Sequence, residues 1–133
     1  IYSHILALNP KPEIRALIYK HRGMAFFAES RYDEALEDFT ATLELDRKCY
    51  KAAYYRGVVH SVKQNYSAAI DDFNDALVIH PYHFYSTYRR AQAYYHVEDY
   101  PKALADCGAA LELEPENESL KKLKRMVLKK LKM

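Results

Sequence analysis

The chain repeats itself with a period of 34 residues, and this period constrains the fold more than any other feature of the sequence. Seven columns of residues stay in phase over three successive units. They hold Arg22, Arg56 and Arg90; Gly23, Gly57 and Ala91; Tyr32, Tyr66 and Tyr100; Ala35, Ala69 and Ala103; Phe39, Phe73 and Cys107; Thr42, Ala76 and Ala110; and Arg47, Pro81 and Pro115. A fixed period of this length indicates an array of similar supersecondary units. We place the units at residues 16–49, 50–83 and 84–117.

Each unit contains two amphipathic segments separated by a short polar turn. In the first unit the second segment places Ala35, Phe39 and Leu43 near the i, i+3, i+4 spacing of a helix. Pro81 and Pro115 end the second segments of the later units, because proline cannot continue a helix. The chain has only 3 glycines in 133 residues, which leaves little room for hairpins or phosphate-binding loops. Each unit is therefore predicted to be a helix–turn–helix, and all-β and nucleotide-binding α/β folds are disfavoured.

The order Gly or Ala, Tyr, Ala, Phe, Ala, Pro within a 34-residue helix pair resembles the tetratricopeptide repeat. The resemblance implies an all-α fold, in which antiparallel helix pairs form a right-handed superhelical array, a tetratricopeptide-like α-solenoid. We expect one domain over residues 1–133. Residues 1–9 resemble the end of a second helix from a truncated repeat, with Pro10 as its stop, and residues 1–15 as a whole are assigned to that truncated repeat and a linker lengthened by about three residues. Residues 118–133 are predicted to form a capping helix.

Two departures from the family pattern affect packing. The large aromatic residue that the family places early in the first helix is Tyr19 in the first unit, but Ala53 and Thr87 stand in its place later. Cys107 replaces the phenylalanine of the other two units. Looser packing is therefore expected in the third unit.

The sequence contains no recognisable catalytic motif. It has neither a Gly-rich phosphate loop nor a nucleophile elbow. His80 and His83 come nearest to a metal motif but lack a further ligand at matching spacing, and Cys107 lies on a core stripe where a thiol behaves as a small hydrophobe. Acid pairs recur in the second helices and are interpreted as a solvated convex face: Glu37 with Asp38, and Asp71 with Asp72. The chain is predicted not to be an enzyme and to hold no cofactor or metal.

The resemblance implies that the first helices line a concave face, and their register predicts which side chains point into it. These groove residues are Lys20, His21, Met24, Phe27, Lys51, Tyr54, Tyr55, Val58, Tyr85, Tyr88, Arg89, Gln92, Tyr95 and His96. None of them is acidic, although the chain has 18 acidic residues. Tyrosine and arginine are enriched in binding hot spots. We predict a groove for a peptide with acidic and apolar groups; the alternative is that some of these aromatic residues only pack between helices.

The predicted function is protein–protein interaction, as an adaptor or scaffold module. The alternative is a co-chaperone that binds the acidic C-terminal tails of heat-shock chaperones. The chaperone-binding subfamily clamps those tails with Lys, Asn, Asn, Lys and Arg, and the matching positions here hold Lys20, Met24, Tyr55, Tyr85 and Arg89. Counting from the truncated repeat instead places His21, Lys51 and Tyr55 at the last three positions. The clamp is incomplete in either frame, while the run at 89–94 resembles repeats of J-domain co-chaperones.

The C-terminal segment is basic although the net charge of the chain is only +2. Its apolar stripe comprises Leu120, Leu123, Val127, Leu128 and Leu131, and lysines occupy the other face. This pattern favours a capping helix, which a repeat array needs at its end. Contact with an anionic membrane or a calmodulin-like partner is the less favoured alternative, and nucleic acid is disfavoured because no aromatic residue interrupts the basic run.

The two cysteines do not form a disulfide framework, and no apolar run approaches the length of a membrane span. A reducing, cytoplasmic location is therefore expected. Because the first residue is Ile1 rather than Met, we also expect the chain to be a segment of a longer protein.

Overall fold

The computed structural model describes residues 1–133 and contains eight α-helices and no strand, so the predicted all-α fold is confirmed. The helices are α1 (Tyr2–Ala7), α2 (Pro12–Ala28), α3 (Tyr32–Leu45), α4 (Tyr50–Val62), α5 (Tyr66–Ile79), α6 (Phe84–His96), α7 (Tyr100–Leu113) and α8 (Glu118–Leu131). The closest packing is within the pairs α2–α3, α4–α5 and α6–α7, and each pair then packs on the next. No helix contacts one more than two places away along the chain, as expected of a solenoid.

The two helices of a unit approach closely because a small residue on one faces a large residue on the other. An added Cβ on Gly57 would lie 2.6 Å from Cε1 of Phe73, and one on Gly23 would lie 2.8 Å from Cε1 of Phe39. Both phenylalanines are fully buried. In the third unit Ala91 and Cys107 belong to one buried cluster. Here the residue that replaces phenylalanine is smaller, and the residue that replaces glycine is larger. The repeated columns thus record one packing position with complementary sizes.

The turn between the two helices of each unit contains a residue in the left-handed region. Ser30, Gln64 and Glu98 lie one period apart and have φ of 61°, 63° and 64°. This conformation ends a helix and is most often taken by glycine, because a Cβ raises its energy. The chain therefore uses non-glycine residues at these three turns, which is one cause of its low glycine content.

The first helix pair has a longer first helix than the others. α2 contains 17 residues, whereas α4 and α6 contain 13 each. Residues 12–15, which we expected to belong to a linker, form the first turn of α2, where Pro12 costs no hydrogen bond. α1 packs against α2 in the manner of a preceding second helix.

A ladder of arginine–aspartate pairs runs through the array. Nε and Nη2 of Arg22, Arg56 and Arg90 each donate to the two carboxylate oxygens of the aspartate 16 residues later, at 2.7–2.9 Å, and these partners are Asp38, Asp72 and Asp106. The aspartates are only 3%, 3% and 6% exposed. The interpretation of Asp38 and Asp72 as solvated was therefore wrong. Their neighbours Glu37 and Asp71 are exposed as expected.

Each arginine of the ladder also reaches the preceding unit. Nη1 of Arg56 donates to Thr40 at 3.3 Å, and Nη1 of Arg90 donates to Asn74 at 2.8 Å; both acceptors lie 16 residues earlier. Arg22 donates to Ser3, 19 residues earlier, at 3.2 Å. The spacing of 19 is three residues longer than the spacing of 16 in the later units, and about three extra residues were expected in the first connection. Each guanidinium thus joins its own helix to two others, and these hydrogen bonds help to hold each unit in position on the next.

α8 covers the end of the last helix pair. Leu120, Leu123 and Val127 are buried, and the latter two belong to the cluster that contains Cys107. Leu128 and Leu131 from the same predicted stripe remain exposed at its edge. Asn117 caps the helix by accepting a hydrogen bond from the backbone N–H of Leu120 at 3.0 Å. None of the eight helices has the length and apolar character required to span a membrane.

Candidate functional site

The predicted concave face comprises the first helices α2, α4 and α6, which contact one another in succession, and α8 follows them at one end. The charge differs between the two sets of helices: α4 and α6 contain no Asp or Glu, whereas α3 contains two Asp and three Glu and α5 contains three Asp. Eight of the fourteen predicted groove residues line two cavities on this face, four in each. The site therefore consists of two neighbouring pockets.

The first cavity, which we call the tyrosine pocket, has a volume of about 350 Å³ and is lined by Lys51, Tyr54, Tyr55, His83 and Tyr85. The ring of Tyr54 is its centre. The ring centroids of Tyr55, His83 and Tyr85 lie 5.2, 5.1 and 6.4 Å from it. Aromatic rings at such distances stabilise one another and present flat apolar walls with polar edges. The pocket can hold an apolar side chain and offer hydroxyl groups to a polar one.

Arg89 and Lys51 make the tyrosine pocket electropositive. Burial raises the pKa of the Tyr54 phenol, while the nearby Arg89 acts in the opposite direction. Nε of Arg89 is buried and has no hydrogen-bond partner, and neither Arg89 nor Lys51 takes part in an ion pair. A buried donor without a partner is uncommon in a folded protein and costs free energy. Arg89 therefore contributes positive charge beside Tyr54 rather than a lining group of the pocket.

The pocket lowers the pKa of its histidine, which favours the neutral form. Burial lowers the pKa of His83, and the neighbouring His80 and Lys51 lower it further. Its Nδ1 lies 2.6 Å from Oγ of Ser86 and accepts from the backbone N–H of that residue at 3.3 Å. His83 therefore caps α6 and contributes an aromatic wall rather than a charge.

The second cavity, which we call the cap pocket, has a volume of about 320 Å³ and lies between α6 and α8. The predicted residues Tyr88, Gln92, Tyr95 and His96 form one wall, and Ser119, Lys122, Leu123 and Met126 form the other. The ring of His96 stacks on Tyr66 with centroids 4.6 Å apart and is thereby fixed in place. α8 thus extends the concave face instead of only covering a core.

The six remaining predicted residues, which include Arg89 beside Tyr54, line neither cavity. Val58 is buried, and Met24 and Phe27 pack against the cluster that contains Phe39. Lys20 and His21 lie on α2, half-buried and exposed, with no ion pair. The first unit therefore contributes charge at the edge of the face rather than a pocket.

Five residues that line these cavities were absent from the sequence prediction: His83, Ser119, Lys122, Leu123 and Met126. His83 precedes α6 as its N-cap, and the other four belong to α8. The 34-residue period offered a signal, because Ser119 stands one period after Tyr85, and Met126 one period after Gln92. The prediction had treated α8 as a cap and had not extended the register to it.

Nucleophilic chemistry at the buried thiol is unfavourable. Cys107 is fully buried, and burial raises the pKa of its thiol to about 11. A thiol of that pKa stays protonated near neutral pH and is a poor nucleophile. Its role in the structure is to pack against Ala91 and Val127.

Comparison with known proteins identifies the fold and its family. Two family models, both described as tetratricopeptide repeat, match residues 22–84 and 85–117. No curated protein sequence gave a significant match.

Solved structures of tetratricopeptide domains superpose on most of the chain. The first such domain of Spaghetti, bound to the HSP90 peptide SRMEEVD, is 24% identical with a TM-score of 0.86 over 90% of this chain and 94% of that one. The domain of Arabidopsis OM64 is 22% identical with a TM-score of 0.86 over 90% and 98%. The second domain of human RPAP3, in complex with the HSP70 peptide SGPTIEEVD, is 25% identical with a TM-score of 0.82 over 88% and 98%. With its three helix pairs, its 34-residue period and these matches, the chain belongs to the tetratricopeptide repeat family, a protein-interaction fold.

Proposed function

We propose that the concave face binds a segment of a partner protein that carries both carboxylate and apolar side chains. The observation that supports this most directly is the tyrosine pocket, where the exposed Lys51 lies among tyrosine rings and Arg89 lies beside Tyr54. An acidic side chain bound there would pair with Lys51, and the rings would flank an apolar neighbour. The chain would serve as a non-catalytic adaptor or scaffold module.

The two pockets favour a ligand that spans more than one helix pair. The tyrosine pocket lies between α4 and α6, and the cap pocket lies between α6 and α8. Lys122 supplies the cap pocket with a second exposed cation, and Met126 supplies an adaptable apolar surface. A peptide lying along α6 would therefore meet alternating basic and apolar positions, which fits an acidic sequence with apolar anchors.

A co-chaperone role is the second candidate. The domains of Spaghetti and of human RPAP3 that resemble this chain are bound to chaperone peptides ending in Glu-Glu-Val-Asp. Of the five clamp positions, however, only Lys20 and Arg89 hold the expected residue types. Met24 packs in the core, and Tyr55 stacks on Phe39 with centroids 5.9 Å apart, so neither can replace an asparagine amide. We therefore favour a ligand with an internal acidic segment over a chaperone tail.

A peptide-binding measurement separates the two candidates. The full chain would be titrated with the peptide SRMEEVD and, in parallel, used to select binders from a displayed peptide library. The proposal expects selected peptides rich in Asp or Glu with apolar residues, and binding weakened roughly tenfold or more by Tyr85→Ala or Arg89→Gln, as for hot-spot residues. Tyr82→Ala is the matched control, because Tyr82 is an exposed tyrosine that lines neither pocket.

The outcomes are distinct. Micromolar binding of SRMEEVD that is lost with both Lys20→Ala and Arg89→Gln would favour the co-chaperone. Selected peptides without acidic residues, or binding that is insensitive to Tyr85→Ala and Arg89→Gln, would show that the concave face has been assigned wrongly.

A further inference from the structure

A further cavity lies away from the concave face. It has a volume of about 450 Å³ and opens between the second helices α3 and α5, with α4 as its floor. Its apolar lining comprises Leu43, Ala53, Val78 and Ile79. At about 100° per residue, Ala53 is about 200° around α4 from Lys51 and Tyr55 and about 100° from Tyr54, so the cavity and the tyrosine pocket open on different sides of the helix.

The floor of this cavity includes a small side chain at a position where the first unit has a large one. Ala53 stands one period after Tyr19. At this position α4 has a methyl group, whereas the first unit has a phenol ring. Ala53 itself is buried at the bottom of the cavity, while Val78 at the rim is 80% exposed. The space is therefore apolar, open to solvent, and bounded by residues of two successive units. It is comparable to the cavity left by a large-to-small substitution in a core.

The rim of the cavity carries unpaired negative charge. Glu44 and Asp75 line it, and neither takes part in an ion pair. The exposed carboxylates of Glu37 and Asp71 lie on the same two helices and are also unpaired. Of the two arginines in the lining, Arg56 is neutralised by its bidentate bond to Asp72, which leaves Arg47 as the single uncompensated cation. The two lining carboxylates against one uncompensated cation leave the rim net negative, which favours a basic ligand.

We propose that this cavity is a second docking site, which accepts one large apolar side chain, aromatic by preference, from a basic segment of a partner protein. The aromatic ring would occupy the space that Ala53 leaves empty, against Leu43 and Ile79. Lysine or arginine residues on either side of it would lie close to Glu44 and Asp75. The concave face and this site would then select opposite charges on different sides of one array, so that a single domain could bind two partners at once.

A tryptophan peptide tests the proposal directly, because the chain contains no tryptophan and the indole fluorescence comes from the peptide alone. The probe is Ac-Lys-Lys-Trp-Lys-Lys-NH₂, titrated with the full chain at low salt. The proposal expects saturable binding, a blue shift of the emission as the indole leaves water, and weakening with added salt. The peptide with Ala in place of Trp and the peptide with Glu in place of Lys should both bind at least fivefold more weakly.

Variants of the chain locate the binding. Ala53→Leu fills the cavity and should weaken binding of the tryptophan peptide roughly tenfold, as when a buried anchor is excluded. Because Ala53→Leu can also disturb folding, Glu44→Gln combined with Asp75→Asn gives a second test at exposed positions and should weaken binding at least fivefold. Tyr85→Ala is the matched control on the other face and should leave the affinity unchanged, which separates this site from the proposed peptide groove.

Three results would overturn the proposal. The first is tryptophan-peptide binding that survives both Ala53→Leu and the Glu44→Gln/Asp75→Asn pair. The second is binding that disappears with Tyr85→Ala, since the probe would then lie on the concave face. The third is a dimer in sedimentation analysis that Ala53→Leu dissolves while the peptide fails to bind, because the cavity would then hold the basic α8 of a second copy.

Discussion

Removal of Arg56 should destabilise the chain far more than removal of an exposed cation. Its guanidinium makes bonds of 2.9 and 2.7 Å to Asp72, whose side chain is 5% exposed, and a third of 3.3 Å to Thr40. In Arg56→Ala the carboxylate would remain buried without its partner. Breaking a buried pair in this way costs about 3–5 kcal/mol, and hydrogen bonds to charged groups contribute about 1.5–3 kcal/mol each.

The lower end of that range applies here, because the Arg56 side chain is 23% exposed and water can reach one edge of the group that is lost. We therefore expect a loss of about 3 kcal/mol in the free energy of unfolding, or roughly 10 °C in Tm for a domain of this size. Urea denaturation followed by far-ultraviolet circular dichroism measures it. Lys63→Ala is the matched control, since Lys63 also bridges two units but pairs with the exposed Asp33. That control should lose less than about 1 kcal/mol.

A double substitution distinguishes the burial of an unpaired charge from the loss of packing. Replacing both partners, Arg56→Met with Asp72→Leu, removes the charges together and should recover most of the stability lost in Arg56→Ala. The coupling in the resulting cycle should exceed about 1 kcal/mol. The reasoning fails if Arg56→Ala costs no more than Lys63→Ala, or if the double variant is as unstable as the sum of the two single changes.

Three further predictions follow from the packing, the turns and the buried histidine. Gly57→Ala should lower the free energy of unfolding by about 1–3 kcal/mol, because its Cβ would meet the Phe73 ring. Gly108→Ala has no atom within 4 Å of the new Cβ and should raise the free energy of unfolding by about 0.5–1 kcal/mol in the same urea assay. Gln64→Gly should raise Tm slightly, by relaxing a φ of 63°, and an unchanged or lower Tm would contradict the strain assigned to this turn. Burial lowers the pKa of His60 below 6.5, so the unfolded chain binds more protons than the folded chain and stability should fall as the pH drops through 6.5. In His60→Phe the fall in Tm between pH 7.5 and pH 5.5 should be smaller than in the unchanged chain. An equal fall in the two proteins would refute this prediction.

The repeating columns made the architecture predictable. Gly57 and Phe73 reveal both helices of a unit and their contact, because a close approach needs a small residue opposite a large one. The family resemblance then supplied the concave face, and the register of α6 placed Tyr85 and Tyr88 on it. That these residues bind a partner stays a prediction.

The features that were missed depend on packing between helices rather than on the pattern along one helix. Asp38 and Asp71 look alike in a sequence of acidic pairs, but only the first faces an arginine across the helix pair and is buried. Lys122 joins the cap pocket because α8 docks at one particular rotation against α6 and α7, which an amphipathic stripe alone does not determine. The cavity above Ala53 has a small side chain in its floor where the first unit has a large one, and a sequence shows such a difference only by comparison between units.

The arginine ladder stops before α8. The two ends of the array should therefore respond differently to cooling. Lys124 stands one period after Arg90, Gly108 stands one period after Asn74, and no side-chain hydrogen bond joins α7 to α8. α8 is therefore held by the burial of apolar surface, and this stabilisation weakens on cooling. The earlier interfaces also have charged hydrogen bonds, which do not depend on the hydration of apolar surface. Near 0 °C the amide hydrogens of α8 should exchange first and the cap pocket should open, leaving the tyrosine pocket intact in the cold.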